Sequence, residues 1–180
     1  MSATPSQSQP RITLRRARVE DADALAVLGR ETFAETFGHL YPPADLAAFV
    51  SAAHSPTRYA EMIADGAHAL WIAEAAAGRA VGYAMAGDCR LPHPEVTPTC
   101  GELQRLYVRR ERQGGGLGVR LLDEALGWLA RPGRRLWIGV WSENLGAQRL
   151  YARYGFSKVG EYEFHVGQTS DREFIMARPR

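Results

Sequence analysis

Apolar residues along this chain recur with two periods, and the switches between them mark out the elements. Ile12-Thr13-Leu14 alternates and starts a first strand. From Glu20 to Phe37 the spacing is helical, with Asp21 or Asp23 placed to favour the first turn. Phe33, Phe37 and Tyr41 are spaced by four, which predicts one aromatic row near the helix end before Pro42-Pro43 stops it. A second helical piece carries Leu46, Phe49 and Val50. A third opens with Ser55 as N-cap and Pro56 in the first position, and ends at Gly66. Ala69 to Glu74 and Ala80 to Ala86 read as strands joined in a hairpin by Ala76-Ala77-Gly78-Arg79. Pro92, Pro94 and Pro98 make Gly87 to Thr99 a loop.

The second half is patterned more sharply. Glu102 to Val108 is strand-like, but Leu103 lies three before Leu106 and is out of phase with the Leu106/Val108 alternation. A period of two that slips by one residue predicts a β-bulge, near Arg105. Gln113-Gly114-Gly115-Gly116-Leu117-Gly118 then leads into a helix from Leu117 to Ala130 with one apolar stripe, Leu121, Leu122, Ala125, Leu126 and Leu129. Arg134 to Trp141 is a strand with Trp137 and Trp141 on one face, either lining an acceptor site or in ordinary core. Leu145 to Tyr154 is a short helix ending at Gly155, and two strands follow around Val159–His165 and Glu173–Ala177. No repeat or second domain is evident, so residues 11–180 read as one domain.

Composition narrows the function classes. Hydrophobic content of 46% with 23% charged residues is that of an ordinary globular protein. A net charge of +2 and the lack of a long basic run argue against a nucleic-acid or acidic-membrane partner. No apolar run reaches the ~18 residues of a membrane span. Residues 1–10, rich in Ser, Gln, Pro and Thr, read as a disordered tail rather than a signal peptide. Cys89 and Cys100 have neither CxxC nor metal-type spacing; they could pair, but a reduced, cytoplasmic protein is the simpler expectation. The five histidines form no HExxH-like pattern, so no metal site is expected.

The glycine run carries the first chemical signal. A glycine turn feeding a helix N-terminus offers free backbone N–H groups and the positive end of the helix dipole, a seat for phosphate or pyrophosphate. By itself the run would equally suit an exposed flexible turn. A dinucleotide fingerprint is excluded, because the sixth position falls on Val119 or Leu121. A P-loop is excluded because Val119 follows Gly118.

What matches is Gln-x-x-Gly-x-Gly, read as Gln113, Gly116 and Gly118 after Leu106-Tyr107-Val108, with Asn144-x-x-Ala147-x-x-x-Tyr151-x-x-x-Gly155-Phe156 downstream. Together these segments resemble the GCN5-related N-acetyltransferase (GNAT) superfamily. The resemblance implies an α+β (mixed α/β) fold: a mostly antiparallel, twisted sheet of six or seven strands flanked by helices, with two central parallel strands splayed at a β-bulge. It implies acetyl-CoA as co-substrate, its pyrophosphate on the turn from Gln113 through Gly114, Gly115, Gly116 and Leu117 to Gly118. The pantetheine arm would lie between Glu102–Val108 and Arg134–Trp141. Backbone groups of Leu106 and Val108, flanking Tyr107, would pair with it, and the N–H near Leu106 would polarise the thioester carbonyl. Asn144 would bind the CoA arm, cap the short helix, or both.

Direct transfer needs an uncharged amine and a proton for the departing thiolate. An alkylamine has a pKa near ~10, so a base must remove its proton. Glu102, eleven residues before Gln113, stands where the family often places a catalytic glutamate; the alternatives are a solvated strand-end residue or one that binds the substrate cation. Tyr151 is the candidate acid by its spacing from Asn144 and Gly155-Phe156, against a packed aromatic beside Tyr154. Neither cysteine has a nucleophile motif, so no acyl-cysteine route is expected. Roles for Arg109, Arg110 and Arg112 at the CoA phosphates stay open.

Glu31-Thr32-Phe33-x-x-Thr36-Phe37, followed by Tyr41 and Asp45-Leu46, is similar to the N-terminal region of the polyamine-acetylating branch of bacterial GNAT proteins. This resemblance implies a small-molecule amine acceptor against Phe33, Phe37 and Tyr41, with Glu31, Glu35 and Asp45 nearby. Core packing of Phe33 and Phe37 is the plain alternative. Acetylation of a protein N-terminus or lysine, and a non-catalytic acyl-CoA-binding regulatory module on the same fold, are the competing functions. Homodimerisation is left open.

Overall fold

The computed structural model describes residues 12–179; the tail expected over residues 1–10 lies outside them. Seven strands build one mixed sheet: β1 (Thr13–Arg16), β2 (Ala69–Glu74), β3 (Ala80–Asp88), β4 (Gly101–Val108), β5 (Leu136–Trp141), β6 (Ser157–Val166) and β7 (Thr169–Arg178). Their order is β1-β2-β3-β4-β5-β7-β6. Every neighbouring pair is antiparallel except β4 and β5. Five helices flank the sheet: α1 (Ala22–Phe37), α2 (Pro43–Ala53), α3 (Pro56–Ala64), α4 (Leu117–Leu129) and α5 (Leu145–Arg153).

The parallel pair is short. Gly101, Glu102 and Leu103 pair with Leu136, Trp137 and Ile138, and no pairing continues beyond them. From there β4 bonds only to β3 and β5 only to β7. Gln104–Val108 and Gly139–Trp141 therefore face each other across a gap, each with one ladder edge unused. The cause is local. Met85 pairs with Arg105 but Ala86 with Leu103, so Gln104 is the extra residue of a bulge. The slip expected near Arg105 is real and falls one residue earlier. It returns Leu103 and Leu106, three apart, to the same apolar face.

Each face has its own core. On one, α4 and α5 cover Leu103, Leu136, Ile138 and Val140 with Leu121, Leu122 and Tyr151. On the other, α1 and α3 cover Leu70, Ile72, Tyr83 and Met85, while α2 and the loop from Cys89 to Thr99 close the far end. The bulge preserves this division: Glu102, Arg105 and Tyr107 look to the α1 face, Leu103, Leu106 and Val108 to the α4 face.

The first helix ends at the expected Phe37, but Tyr41 does not extend its aromatic row along the helix. Helix α1 stops at Phe37, where the Gly38 N–H closes onto the Ala34 carbonyl, and α2 starts at Pro43 with Pro42 as N-cap. Tyr41 therefore lies outside the helix. It rejoins the aromatic row through the turn, stacking on Phe33 at 6.3 Å between centroids. The residue before a proline avoids helical geometry, so the helix had to end before Tyr41, and the poor helix former Gly38 ends it sooner.

Candidate active site

Helices α4 and α5 both start at the C-terminal ends of the two diverging strands, so their N-termini meet at the mouth of the gap. Gly116 is the N-cap of α4 at φ 79°, and Gly114 has φ 78°; both conformations favour glycine. No side chain caps α4, which leaves its first N–H groups, Gly116 to Val119, without helical partners. A β-carbon at Gly114, Gly115 or Gly116 would meet nothing within 4 Å. The turn is an open cradle of donors, and it suits a pyrophosphate. Gln113 braces it: the side-chain amide donates to the Val108 carbonyl at 2.9 Å. Across the mouth Asn144 caps α5, accepting from the Ala147 N–H at 3.0 Å. Of the arginines left open, Arg109 is bound to the Ala80 carbonyl and to Glu31, whereas Arg110 lines the cavity and donates to the Glu35 carbonyl at 3.0 Å.

A cavity of about 1140 Å³ runs from this cradle through the gap to the α1 face. On the α4 side Leu106, Val108 and Tyr151 line it. On the other side its walls include Glu102, Phe33, Phe37 and Tyr41. The proposed donor and acceptor residues thus share one space.

Glu102 is 9% exposed and accepts the Arg90 N–H at 2.8 Å. Burial pushes its carboxyl up to about 7, against the lowering influence of the Arg90 N–H and the Cys89 thiol. A carboxylate at that value gives and takes protons at neutral pH. His54 also lines the cavity, but burial and then the charges of Arg105, Arg30 and Arg58 push it down to about 3, too weak a base for an ammonium. Tyr151 is buried against Phe156. Desolvation, with the Glu173 charge second, raises its phenol, so it holds its proton and has one to give. Tyr154 is occupied elsewhere, donating to Asp123 at 2.6 Å.

Phe33 packs on Phe37 at 4.9 Å and on Phe49 at 4.9 Å, so the expected aromatic row is both core and cavity wall. The two tryptophans of β5 part company. Trp137 is fully buried beneath the Cys89–Thr99 loop with Leu91 and Cys100, while Trp141 lines the cavity, edge-on to Phe37 at 5.7 Å. Glu31 and Asp45 are engaged with Arg109 and the Gln168 N–H, away from the expected acceptor wall; Glu35 lies at its rim.

Sequence reasoning missed the acidic wall of β7. Asp171 accepts from the Tyr41 hydroxyl, and Glu173 accepts from the Tyr162 hydroxyl at 2.5 Å. Both line the cavity. The signal was present: positions 171, 173, 175 and 177 form one face of β7, and Asp and Glu occupy two places where Ile175 and Ala177 set an apolar pattern. Also missed was a polar network beneath α3, in which Arg105 donates to the Tyr59 hydroxyl at 3.0 Å and to the Ala53 carbonyl at 3.1 Å. The same Tyr59 hydroxyl contacts Tyr83 at 2.7 Å and His54 at 2.8 Å.

The described residues form a mixed sheet opened at its one parallel pair, with a glycine-headed helix at the mouth of the opening. Known proteins give the family. The acetyltransferase (GNAT) family model matches residues 31–156. The chain is 35% identical over 161 residues to an uncharacterised N-acetyltransferase of Mycobacterium tuberculosis, covering 88% of this chain and 97% of that protein. It is 33% identical over 92 residues to the spermine/spermidine N(1)-acetyltransferase of Bacillus subtilis, 49% of this chain and 59% of the relative. Among solved structures, the PaiA N-acetyltransferase of Thermoplasma acidophilum in complex with coenzyme A matches with a TM-score of 0.74 at 20% identity, over 94% of this chain and 99% of that one. The chain belongs to the GNAT family of acetyltransferases, and it is an N-acetyltransferase.

Proposed function

We propose that this chain moves the acetyl group of acetyl-CoA to a primary amine of a small cationic molecule, in particular a polyamine, by direct attack in a ternary complex. The observation that carries the reading is one cavity that joins the open glycine turn to the buried carboxyl of Glu102, held near 7. The N–H groups from Gly114 to Val119 hold the pyrophosphate. The unused β4 edge at Leu106 and Val108 pairs with the pantetheine amides, and its N–H groups polarise the thioester carbonyl. Glu102, directly or through a water, takes the proton from the acceptor ammonium. The amine nitrogen then attacks the carbonyl carbon, and Tyr151 returns a proton to the departing sulfur. The aromatic walls and the carboxylates of β7 favour a cationic acceptor over a neutral or anionic one. The Bacillus subtilis relative, named for spermine and spermidine, supports the polyamine assignment.

The test is release of free thiol from acetyl-CoA over a panel of polyamines, monoamines, amino acids and peptides. Amine-dependent release that is strongest with polyamines is expected. Acetyl-CoA binding with no release across the panel would replace this reading with that of a binding module. Release with peptides alone would move the acceptor to a protein.

A further inference from the structure

Five acids line the cavity; besides Glu35 at the rim and Glu143, three carboxylates remain, Glu102, Asp171 and Glu173. Among the described residues most other clustered acids have a cation: Asp21 and Glu74 share Arg15, Glu31 has Arg109, Asp88 has Arg134 and Glu161 has Lys158. None of the three cavity acids forms an ion pair with a lysine or arginine there. Asp171 and Glu173 are each held by a tyrosine hydroxyl instead, and a neutral donor leaves the negative charge in place. Glu102 has its own task, so Glu173 and Asp171 remain unassigned.

Glu173 is the more central of the two. It pairs with Trp141 across β5 and β7, and its Oε2 would lie 3.3 Å from a β-carbon at Gly139, the first β5 residue past the end of the parallel pairing. A β-carbon at Gly139 would crowd the Tyr162 hydroxyl at 3.1 Å as well as this carboxylate, so the glycine leaves both room beside the gap. From there its charge reaches residues on both sides, raising Tyr151 and Tyr107 as well as Glu102. Burial, helped by the Asp171 charge and opposed by the Tyr162 hydrogen bond, holds Glu173 itself above the ordinary carboxylate range. A half-buried carboxylate with only a phenol for company is a group that a cation would complete.

We propose that Glu173, fixed by Tyr162 and backed by Asp171, is the specificity residue that holds a second ammonium group of the acceptor while the first is presented to Glu102. The inference rests on the acetyl-transfer reading and deepens it by naming the group that makes two positive charges better than one. Asp171 lies two residues along the same face of β7 and adds its charge to that end of the cavity. The acceptor class is accordingly a linear aliphatic amine with at least two ammonium groups, and the aromatic rings of Phe33 and Trp141 flank its methylene chain.

The experiment is steady-state thiol release by the full chain with acetyl-CoA and either 1,4-diaminobutane or n-butylamine, which have the same carbon chain and differ in one charge. The wild type should prefer the diamine by about 10- to 100-fold in kcat/KM, mainly through KM. In Glu173→Gln that ratio should fall to within about threefold of one, with turnover of the diamine reduced more than that of n-butylamine and acetyl-CoA affinity retained. Tyr162→Phe, which leaves the carboxylate but removes its clamp, should give an intermediate ratio, and it carries the test if Glu173→Gln does not fold. An undiminished diamine preference in the variants would overturn the proposal. So would an equal loss with both amines, which would make Glu173 a catalytic or structural group. No release by the wild type with any amine would instead sink the acetyl-transfer reading itself, which separates the two failures.

Discussion

Removing the charge of Glu102 should change both the pH dependence of catalysis and that of stability, by amounts set by its burial. The wild-type carboxyl sits at about 7, so it is about one-tenth ionised at pH 6 and about nine-tenths ionised at pH 8. If Glu102 is the base, kcat/KM for the amine rises about ninefold over that interval, with a limb near 7. The same burial has a thermodynamic consequence of opposite direction. Raising a carboxyl from 4.5 to about 7 on folding corresponds to about 3 kcal/mol in favour of the neutral form. The folded state then binds the proton more tightly than the unfolded chain. That stability is fully present below about 4.5, is lost as pH rises towards 7, and stays lost above it. Glu102→Gln keeps a carbonyl oxygen to accept the Arg90 N–H but cannot ionise. The variant should lose about 10²- to 10⁴-fold in kcat, lack the limb near 7, and gain up to about 3 kcal/mol over the wild type at pH 8 relative to pH 4.5. Thiol-release kinetics from pH 5.5 to 9 and urea unfolding at the two pH values measure both effects. A limb near 7 that persists in the variant would refute the base assignment; identical pH–stability curves would refute the burial argument beneath it.

Tyr151→Phe should lower kcat by at least about tenfold while leaving CoA affinity within a factor of two or so, as read by calorimetric titration against thiol-release kinetics; unchanged kcat would remove the acid role. Gly116→Asp should abolish CoA binding by placing a carboxylate in the cradle. Gly116→Ala, with open space around its β-carbon but φ at 79°, should cost only about 1–2 kcal/mol of stability in thermal or urea unfolding. Normal CoA affinity in the aspartate variant would dismiss the cradle. Gly29→Ala places a β-carbon 2.3 Å from His54 Nδ1 and 2.6 Å from the Tyr59 hydroxyl. It should destabilise the protein by about 1–3 kcal/mol, and a neutral effect on urea unfolding would show that the network beneath α3 yields easily.

Much of this protein was legible in its sequence because the signals are local. The order of strands and helices follows from hydrophobic period, the α3 cap from Ser55-Pro56, and the cradle from glycines at positions where φ must be positive. Even the opening of the sheet left a trace, since a bulge shifts the alternation of its own strand, and Leu103 and Leu106 recorded it to within one residue. What depends on contact between distant segments was not legible. The return of Tyr41 to Phe33, the separate fates of Trp137 and Trp141, and the occupation of Glu31 and Asp45 by other partners are all decided by packing between distant segments. The same holds for electrostatics: Glu102 acquires a value near 7 only because folding removes it from water, and no neighbour in the chain announces that. Local pattern in the chain sets which elements form and marks the glycine turn. The meeting of Glu102, Glu173 and Tyr151 in one cavity comes from folding, because they lie on elements far apart in the chain and close in the folded sheet.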